Sequence, residues 1–410
     1  MSSGDTAWVL ACAALVFLMT PGVAFFYGGM ARRKNVLSIF MQCFLIVCLV
    51  SLQWVLFGYS LSFGPDTGLG IIGGLDWVGL HGVGLQPNPD YSSTIPHVAF
   101  MIFQAMFAII TPALMVGAFA ERIKFSAFTV LTLLWATLVY DPIAHWVWGT
   151  GGWLRDLGAL DFAGGIVVHV SSGVSALVIA FLIGRRLGYE KQAFAPHNLP
   201  FTVLGGALLW FGWFGFNAGS ALTAGGLAAN AFAVTNTAAA AAGLTWALIE
   251  WQQHGAPTVL GIVTGFVAGL VAITPACGFV SPLSSIAIGV LAGIVSYLAV
   301  IALKPKLGYD DSLDVFGVHG IGGMWGTLAT GLFAEMAINE GGADGLFFGN
   351  AKLLLVQGVL LVVCIAYAVI MTWLLFVLVD ALVGMRVKRE DEVVGLDLTQ
   401  HHEAAYTVLE

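Results

Sequence analysis

Two histidines lie in stretches that are otherwise apolar. His169 stands next to last in DFAGGIVVHV (Asp161 to Val170), and His319 stands in DVFGVHGIGG (Asp314 to Gly323). Eight residues separate Asp161 from His169, about 12 Å of helix, and five separate Asp314 from His319, about 7.5 Å. A polar side chain carried that far into hydrocarbon faces the interior of a helix bundle and finds a partner. The partner expected for each imidazole is the other. Neutral rings pair with one nitrogen donating and the other accepting. Two imidazolium ions would repel and burial also favours neutrality, so the pair holds at most one proton and titrates as a unit. A single buried histidine is more often a satisfied core residue, but two in matching segments point to proton handling. A zinc site needs three or four protein ligands, and none joins this pair. His145 reads as near a helix end, and His81, His97, His197, His254, His401 and His402 as loop, edge or tail residues. Two facing histidines are also able to ligate a haem, although no CxxCH attachment motif is present. No metal or cofactor is expected.

Aromatic residues form a second constellation. FQAMF places Phe103 and Phe107 four apart, on one helix face. WFGWFGFNAGS spaces Trp213, Phe216 and Ser220 by three and four, and HWVWGTGGW sets Trp146, Trp148 and Trp153 in an expected outer loop. Tryptophans there suit an interfacial aromatic belt. They also suit a cage for a small cation, since ring faces attract positive charge.

The elements that must position these residues are membrane helices. Of the 410 residues 59% are hydrophobic and only 9% charged, against about 25% charged in soluble domains. Such a chain cannot cover a water-facing surface, and it has no basic stripe for nucleic acid. Fifty-two glycines fit closely packed membrane helices. Cys12, Cys43, Cys48, Cys277 and Cys364 have neither metal nor disulfide spacing and read as small apolar residues. The N-terminal segment has no basic n-region and reads as a first spanning helix. With roughly 20 apolar residues needed per crossing, eleven spans are expected: 7–29, 36–63, 97–120, 125–142, 163–184, 200–218, 227–251, 257–275, 283–303, 315–334 and 352–384. The fold class expected is an all-α polytopic membrane protein. Residues 1–384 form the membrane domain and 385–410 a cytoplasmic tail.

Lysine and arginine set the orientation. With Arg32, Arg33 and Lys34 inside, Arg122, Lys124, Arg185, Arg186, Lys191, Lys304, Lys306, Arg386, Lys388 and Arg389 fall on the same side, leaving only Arg155 and Lys352 opposite. The N-terminus is therefore expected outside and the C-terminus in the cytoplasm. Helices one to five and six to ten are two odd groups in series and must face opposite ways. This is the arithmetic of an inverted repeat, with an eleventh helix added. His169 and His319 occupy the last helix of each group, and Asp314 is expected at the inner end of helix ten as a cap or anchor.

PGVAFFYGGMARRKNV, GAFAERIKFSAF, DFAGGIVVHVSSGVSALVIAFLIGRR, AFAPHNLP, WFGFNAGS, TPACGFV, DVFGVHG and GLDLTQHHEAAY occur in this order along nearly the whole chain. Together they resemble the ammonium transporter (Amt) family. The resemblance implies eleven membrane helices, a homotrimer in the cell membrane and one pore per subunit. It implies that Phe107, Trp148 and Ser220 recruit ammonium at the outer face, and that Phe107 and Phe216 stack across the pore mouth. Asp161 would order that site and assist deprotonation, with His169 and His319 lining the pore as proton path. Gln104 and Trp213 would lie beside the path, and Phe26 and Tyr27 at its inner end. Trp148 and Ser220 separate the chain from the related Rhesus branch. The tail resembles the family's regulatory tail, and the family's usual partner is a cytoplasmic PII signalling protein that plugs the inner pore exit. His402 stands where many bacterial members carry glycine, so a different tail turn is expected.

The function implied is transport, not enzyme catalysis. Ammonium, with methylammonium as analogue, would be recruited as the ion and deprotonated. Ammonia would then cross an apolar pore while the proton passes through the histidine pair, making uptake electrogenic. The alternatives are an electroneutral ammonia channel, an ammonium sensor using the same site and, without the resemblance, a haem-binding redox protein.

Overall fold

The computed structural model describes residues 1–191 and 194–406. It is built from helices, with no strand among the described residues. In chain order the apolar helices are α1 (Ser3–Met30), α2 (Arg33–Phe63), α3 (His97–Phe119), α4 (Phe125–Asp156), α5 (Gly165–Ile183), α6 (Leu199–Gly219), α7 (Gly226–His254), α8 (Val259–Ile273), α9 (Pro282–Leu307), α10 (Phe316–Gly320 continuing as Ile321–Phe333) and α11 (Ala351–Val383). Eleven apolar segments were expected. Nine of those among the described residues are long and apolar enough to cross a membrane. The other two are α8, of 15 residues, and α10, whose first turn is wider than an α-helix.

Two expectations need correction. The first helical stretch of α4, expected at 125–142, runs on to Trp148 before a break at 149–152, so Trp146 and Trp148 sit in the last turn of that stretch and not in a loop. Pro142 follows a π-turn at Ala136–Tyr140. His145 lies in that last turn, near a helix end as expected, and is fully buried and bonded to Asp66 (3.1 Å) and to the Ser62 carbonyl (3.1 Å). The second concerns Asp314, expected as a cap or anchor. It adopts φ +61° and binds Lys304 (2.6 Å), so it is a tether. The cap of α10 is Asp311, whose Oδ2 accepts from the Phe316 N–H (2.8 Å). Asp311 is eight residues before His319, as Asp161 is before His169.

Features recur at equal positions in the two halves. The first helices, α1 and α6, pack along one another, and the fifth, α5 and α10, meet where they begin. Each fourth and fifth helix contains a π-turn: Ala136–Tyr140 and Ala299–Leu303, then Gly165–Val170 and Phe316–Gly320. Contact between α5 and α10 depends on missing side chains. A Cβ on Gly173 would fall on the Gly320 backbone, and one on Gly323 would come 3.1 Å from the His169 Cβ.

The side that carries most of the basic residues is tied together by buried charge. Arg186 donates through Nε (2.9 Å) and Nη2 (2.8 Å) to Asp310, whose carboxylate also accepts from the Arg186 N–H. Glu121 accepts from Arg32 through Nε (2.6 Å) and the backbone N–H (2.7 Å). The tail packs across this face through α12 (Arg389–Val394) and α13 (Leu396–His401). Asp397 accepts from the Ser38 N–H (2.8 Å), Asn35 from the Leu396 N–H (2.8 Å), and Gln400 from the Phe125 N–H (3.2 Å). His402 keeps a left-handed turn, φ +58°, although it is not glycine. The Glu403 N–H bonded to the Asp397 carbonyl (3.1 Å) helps hold that turn.

Burial opposes ionisation of Asp310, but the hydrogen bonds and charge of Arg186 outweigh it and hold the carboxyl below its usual value. The pair's stabilisation is therefore present above the unfolded carboxylate pKa of about 3.9 and is lost as pH falls through the lower folded value. Asp310→Asn leaves Arg186 buried with half a partner. The expected cost is about 3–5 kcal/mol, read as a melting temperature several degrees lower in detergent at neutral pH. A melting temperature equal to that of the parent would reject this role.

Candidate functional site

The site begins with a backbone problem. α5 starts below the surface, so its first N–H groups have no water to bond. Asp161 answers all of them. Its Oδ1 accepts from Gly164 (2.9 Å) and Gly165 (2.6 Å), and its Oδ2 from Ile166 (2.8 Å) and Val167 (3.1 Å). A carboxylate offers about four lone-pair positions, and all four are filled. The chain enters this cap through Gly164 at φ +113°, a left-handed conformation that favours glycine. The Asp161 carbonyl, pointing the other way, accepts from the indole of Trp148 (2.7 Å). One residue therefore starts the helix that carries His169 and also orients Trp148.

Trp148 stands edge-on to Phe107, with centroids 5.9 Å apart and planes at 89°. Phe107 overlaps Phe216 at 4.3 Å and 37°, and both are fully buried. Above them is a cavity of about 240 Å³, lined among others by Phe107, Trp148, Ser220, Gln104, Asp90 and Arg155. The Ser220 hydroxyl donates to the Phe216 carbonyl (2.8 Å), which leaves its oxygen lone pairs as acceptors. The Gln104 Oε1 is buried without a protein partner. A pocket with ring faces, a hydroxyl acceptor and an amide oxygen suits a small cation that donates hydrogen bonds.

Below the phenylalanines the His169 ring stacks on Phe216 (5.8 Å, 24°) and on Trp213 (5.3 Å, 26°). Trp213 is held by its indole N–H on the Thr274 hydroxyl (2.8 Å). The Nδ1 atoms of His169 and His319 are 3.4 Å apart, with rings inclined by 27°. Such a contact requires the proton on one Nδ1 and not on the other. The His169 Nε2 has no protein partner, so in either arrangement it offers one free hydrogen-bonding position. Both rings lie in the π-turns of their helices, a distortion frequent at functional sites.

Farther along, Phe26 and Tyr27 are buried side by side on α1 (5.7 Å). The Tyr27 hydroxyl donates to the Leu114 carbonyl (3.0 Å). The structure thus gathers Phe107, Trp148, Ser220, Gln104, Phe216, Trp213, Asp161, His169 and His319 in one continuous set, with Phe26 and Tyr27 at a distance from the outer cavity. Sequence reasoning missed Asp90 and Arg155 in the cavity wall. Arg155 donates to the Trp148 carbonyl (2.9 Å) and the Thr150 hydroxyl (3.1 Å). It also missed Gly173, Thr274 and Asp311. Only Asp311 had a legible signal, its eight-residue spacing to His319. Among the described residues no group of three His, Cys, Asp or Glu is arranged to hold a metal ion.

Comparison with known proteins gives concordant results. Residues 7–406 match the model of the Ammonium Transporter Family. The chain is 56% identical over 406 residues to an ammonium transporter of Bacillus subtilis strain 168, covering 99% of each. The fold superposes on Candida albicans Mep2 with a TM-score of 0.90 at 36% identity, covering 99% of this chain and 90% of that one. It superposes equally on a protein described as a sensor Amt protein, with a TM-score of 0.89 at 30% identity, covering 97% and 98%.

Asp161→Ala would strip acceptors from four buried N–H groups, at about 1–3 kcal/mol each. The expected outcome is a chain that no longer purifies as a monodisperse species, with Asp161→Asn intermediate. Size-exclusion profiles indistinguishable from the parent would show the cap to be dispensable.

Proposed function

Because the chain belongs to the ammonium transporter family, we propose that it takes up ammonium by separating the ion into ammonia and a proton and moving each by its own path. The observation that carries this reading is the histidine pair, 3.4 Å apart and stacked directly behind the Phe107–Phe216 overlap. Ammonium is recruited between the Trp148 and Phe107 rings and the Ser220 oxygen. Potassium, of nearly the same size, gains the ring contacts but has no hydrogen bonds to give and no proton to lose. An ion moving past Phe107 and Phe216 faces the desolvation cost of an apolar interior, so the neutral molecule passes and the ion does not.

The proton needs another acceptor than Asp161, whose lone-pair positions are already occupied by four N–H groups. Asp161 accordingly orients Trp148 and adds negative charge below the recruitment pocket. The proton passes to the pair formed by His169 and His319, which holds one at a time and forwards it. Trp213 lines the path beside this pair, Gln104 lines it on the outer side of the phenylalanines, and Phe26 and Tyr27 mark its inner end. In this reading net uptake carries charge, the N-terminus is outside, and three chains assemble with one pore in each. The tail, residues 385–410, is a cytoplasmic regulatory segment, and a PII signalling protein plugs the inner pore exit.

Two other readings share the same site. In an electroneutral ammonia channel the proton returns to the outer side. In a sensor the site binds ammonium and the tail transmits occupancy inward. The likeness to the protein described as a sensor Amt protein gives the second a specific basis. Methylammonium uptake in a transporter-deficient host separates transport from sensing.

The decisive measurement is current across proteoliposomes under an ammonium gradient. We expect an inward current that saturates with ammonium. Ammonia flux without current would overturn the electrogenic mechanism and leave the neutral channel. His169→Leu combined with His319→Leu is expected to abolish the proton component, and an unchanged selective current in that variant would refute the relay. Trp148→Leu removes the strongest ring face, so the half-saturating ammonium concentration should rise about tenfold, in line with roughly 1–2 kcal/mol for a partly desolvated cation–π contact.

A further inference from the structure

A second polar cavity, of about 580 Å³, lies on the face where the tail docks. Three separate segments build its wall: the α1–α2 turn and the start of α2 with Arg32 and Lys34, the segment after α5 with Arg185 and Lys191, and tail helix α12 with Arg389 and Glu392. The charges do not balance. Arg32 is neutralised by Glu121, and Arg186, also in the wall, by Asp310 and Glu121. Glu392 is the only carboxylate in the lining, and it is already engaged by the Leu187 N–H (2.6 Å) and Arg386 (2.8 Å). Among the described residues Lys34, Lys191 and Arg389 have no carboxylate partner, and Arg185 has only the exposed Glu190 at 3.4 Å. The Lys34 ammonium is held in place by the tail carbonyls of Glu392 (3.0 Å) and Val393.

We propose that this cavity is a binding site for a phosphate-bearing anion, which on binding clamps the tail to the membrane domain. Three cations left over around one concavity, with Arg185 paired only at its exposed edge, focus a positive potential there. Guanidinium groups match phosphate oxygens in paired hydrogen bonds, and lysine supplies a point charge. The volume lies within the range of ordinary small-molecule sites. Basic residues at helix ends commonly serve only to set topology and to meet lipid headgroups. What differs here is convergence from three segments, one of which is the tail. Because the tail forms part of the wall, the ligand assigned is a soluble phosphorylated metabolite. Bridging Arg389 to Lys34 and Lys191, it adds cross-links to a tail otherwise held by a few hydrogen bonds.

The test uses the full-length protein in phosphatidylcholine vesicles, with inorganic pyrophosphate as probe. Calorimetry is expected to show saturable binding at one site per chain, weakening as salt rises. Amide hydrogen exchange in residues 388–401 is expected to slow with the same saturation. Lys191 and Arg389 are both exposed, so a Lys191→Gln, Arg389→Gln double variant should melt like the parent in the absence of pyrophosphate. It should bind pyrophosphate about tenfold more weakly or worse, as loss of two charge-assisted contacts requires. Absence of saturation in the parent, or equal affinity in the double variant, would overturn the site. Binding with no change in tail exchange would overturn the clamp. Slowing that requires phosphatidylglycerol in the vesicles, with no further effect of pyrophosphate, would overturn the soluble ligand and assign the cavity to a lipid headgroup. None of these readouts depends on transport.

Discussion

Helix α5 begins inside the protein, where no water reaches its first N–H groups. In an apolar interior each such group must find an acceptor or cost several kcal/mol. The Asp161 carboxylate meets all four demands at once, and much of the site follows from that. The cap fixes the start of α5, and so the depth of His169. It turns the Asp161 carbonyl toward Trp148. It also keeps a carboxylate buried close to a pocket whose ring faces and oxygen acceptors suit a cation. Asp311 does a smaller version of the same work for α10 and the depth of His319.

The two caps place two imidazoles at one level, but the rings meet only because the helices come close. The contact relies on Gly173 against Gly320 and on Gly323 against the His169 Cβ. Small residues do here what they do in membrane helices generally, where backbone proximity and not hydrophobic transfer drives association. The π-turns add a second adjustment. By widening one turn they re-aim His169 and His319, at a position where a regular helix would carry the side chain elsewhere. Stacking on Trp213 and Phe216 then holds the His169 ring flat beside the phenylalanine overlap.

The opposite end of the molecule is organised by charge. Glu121, Asp310, Arg32, Arg186 and the tail residues Asp397 and Glu392 form a network that ties loops between helices to the last segment of the chain. Buried ion pairs of this kind are weak evidence for net stability but costly to break. Hydrogen bonds from Asp397 and Glu392 hold the tail against the membrane domain while several cations are left over, and the two ends of the molecule thus use opposite physics. The site end is apolar with isolated polar atoms, whereas the tail end is polar with positive charge in excess.

The amino-acid order by itself determined that this is a helical membrane protein and that His169 and His319 belong together. Those conclusions rest on apolar run length, on the scarcity of charge and on ordered motifs, all of which are one-dimensional quantities. It placed Trp148 in a loop and left open whether Asp314 is a cap or an anchor, because a π-turn and a left-handed residue are invisible to a count of residues per turn. The eight-residue interval shared by Asp161–His169 and Asp311–His319 was there to be read, but DVFGVHG drew attention to the nearer aspartate. Only the tertiary structure decided that the four lone-pair positions of Asp161 are filled, that Gly173 faces Gly320 where the histidines meet, and that three distant basic segments enclose one cavity. Each of these depends on which groups face each other across packed helices, and spacing along a chain carries no record of that.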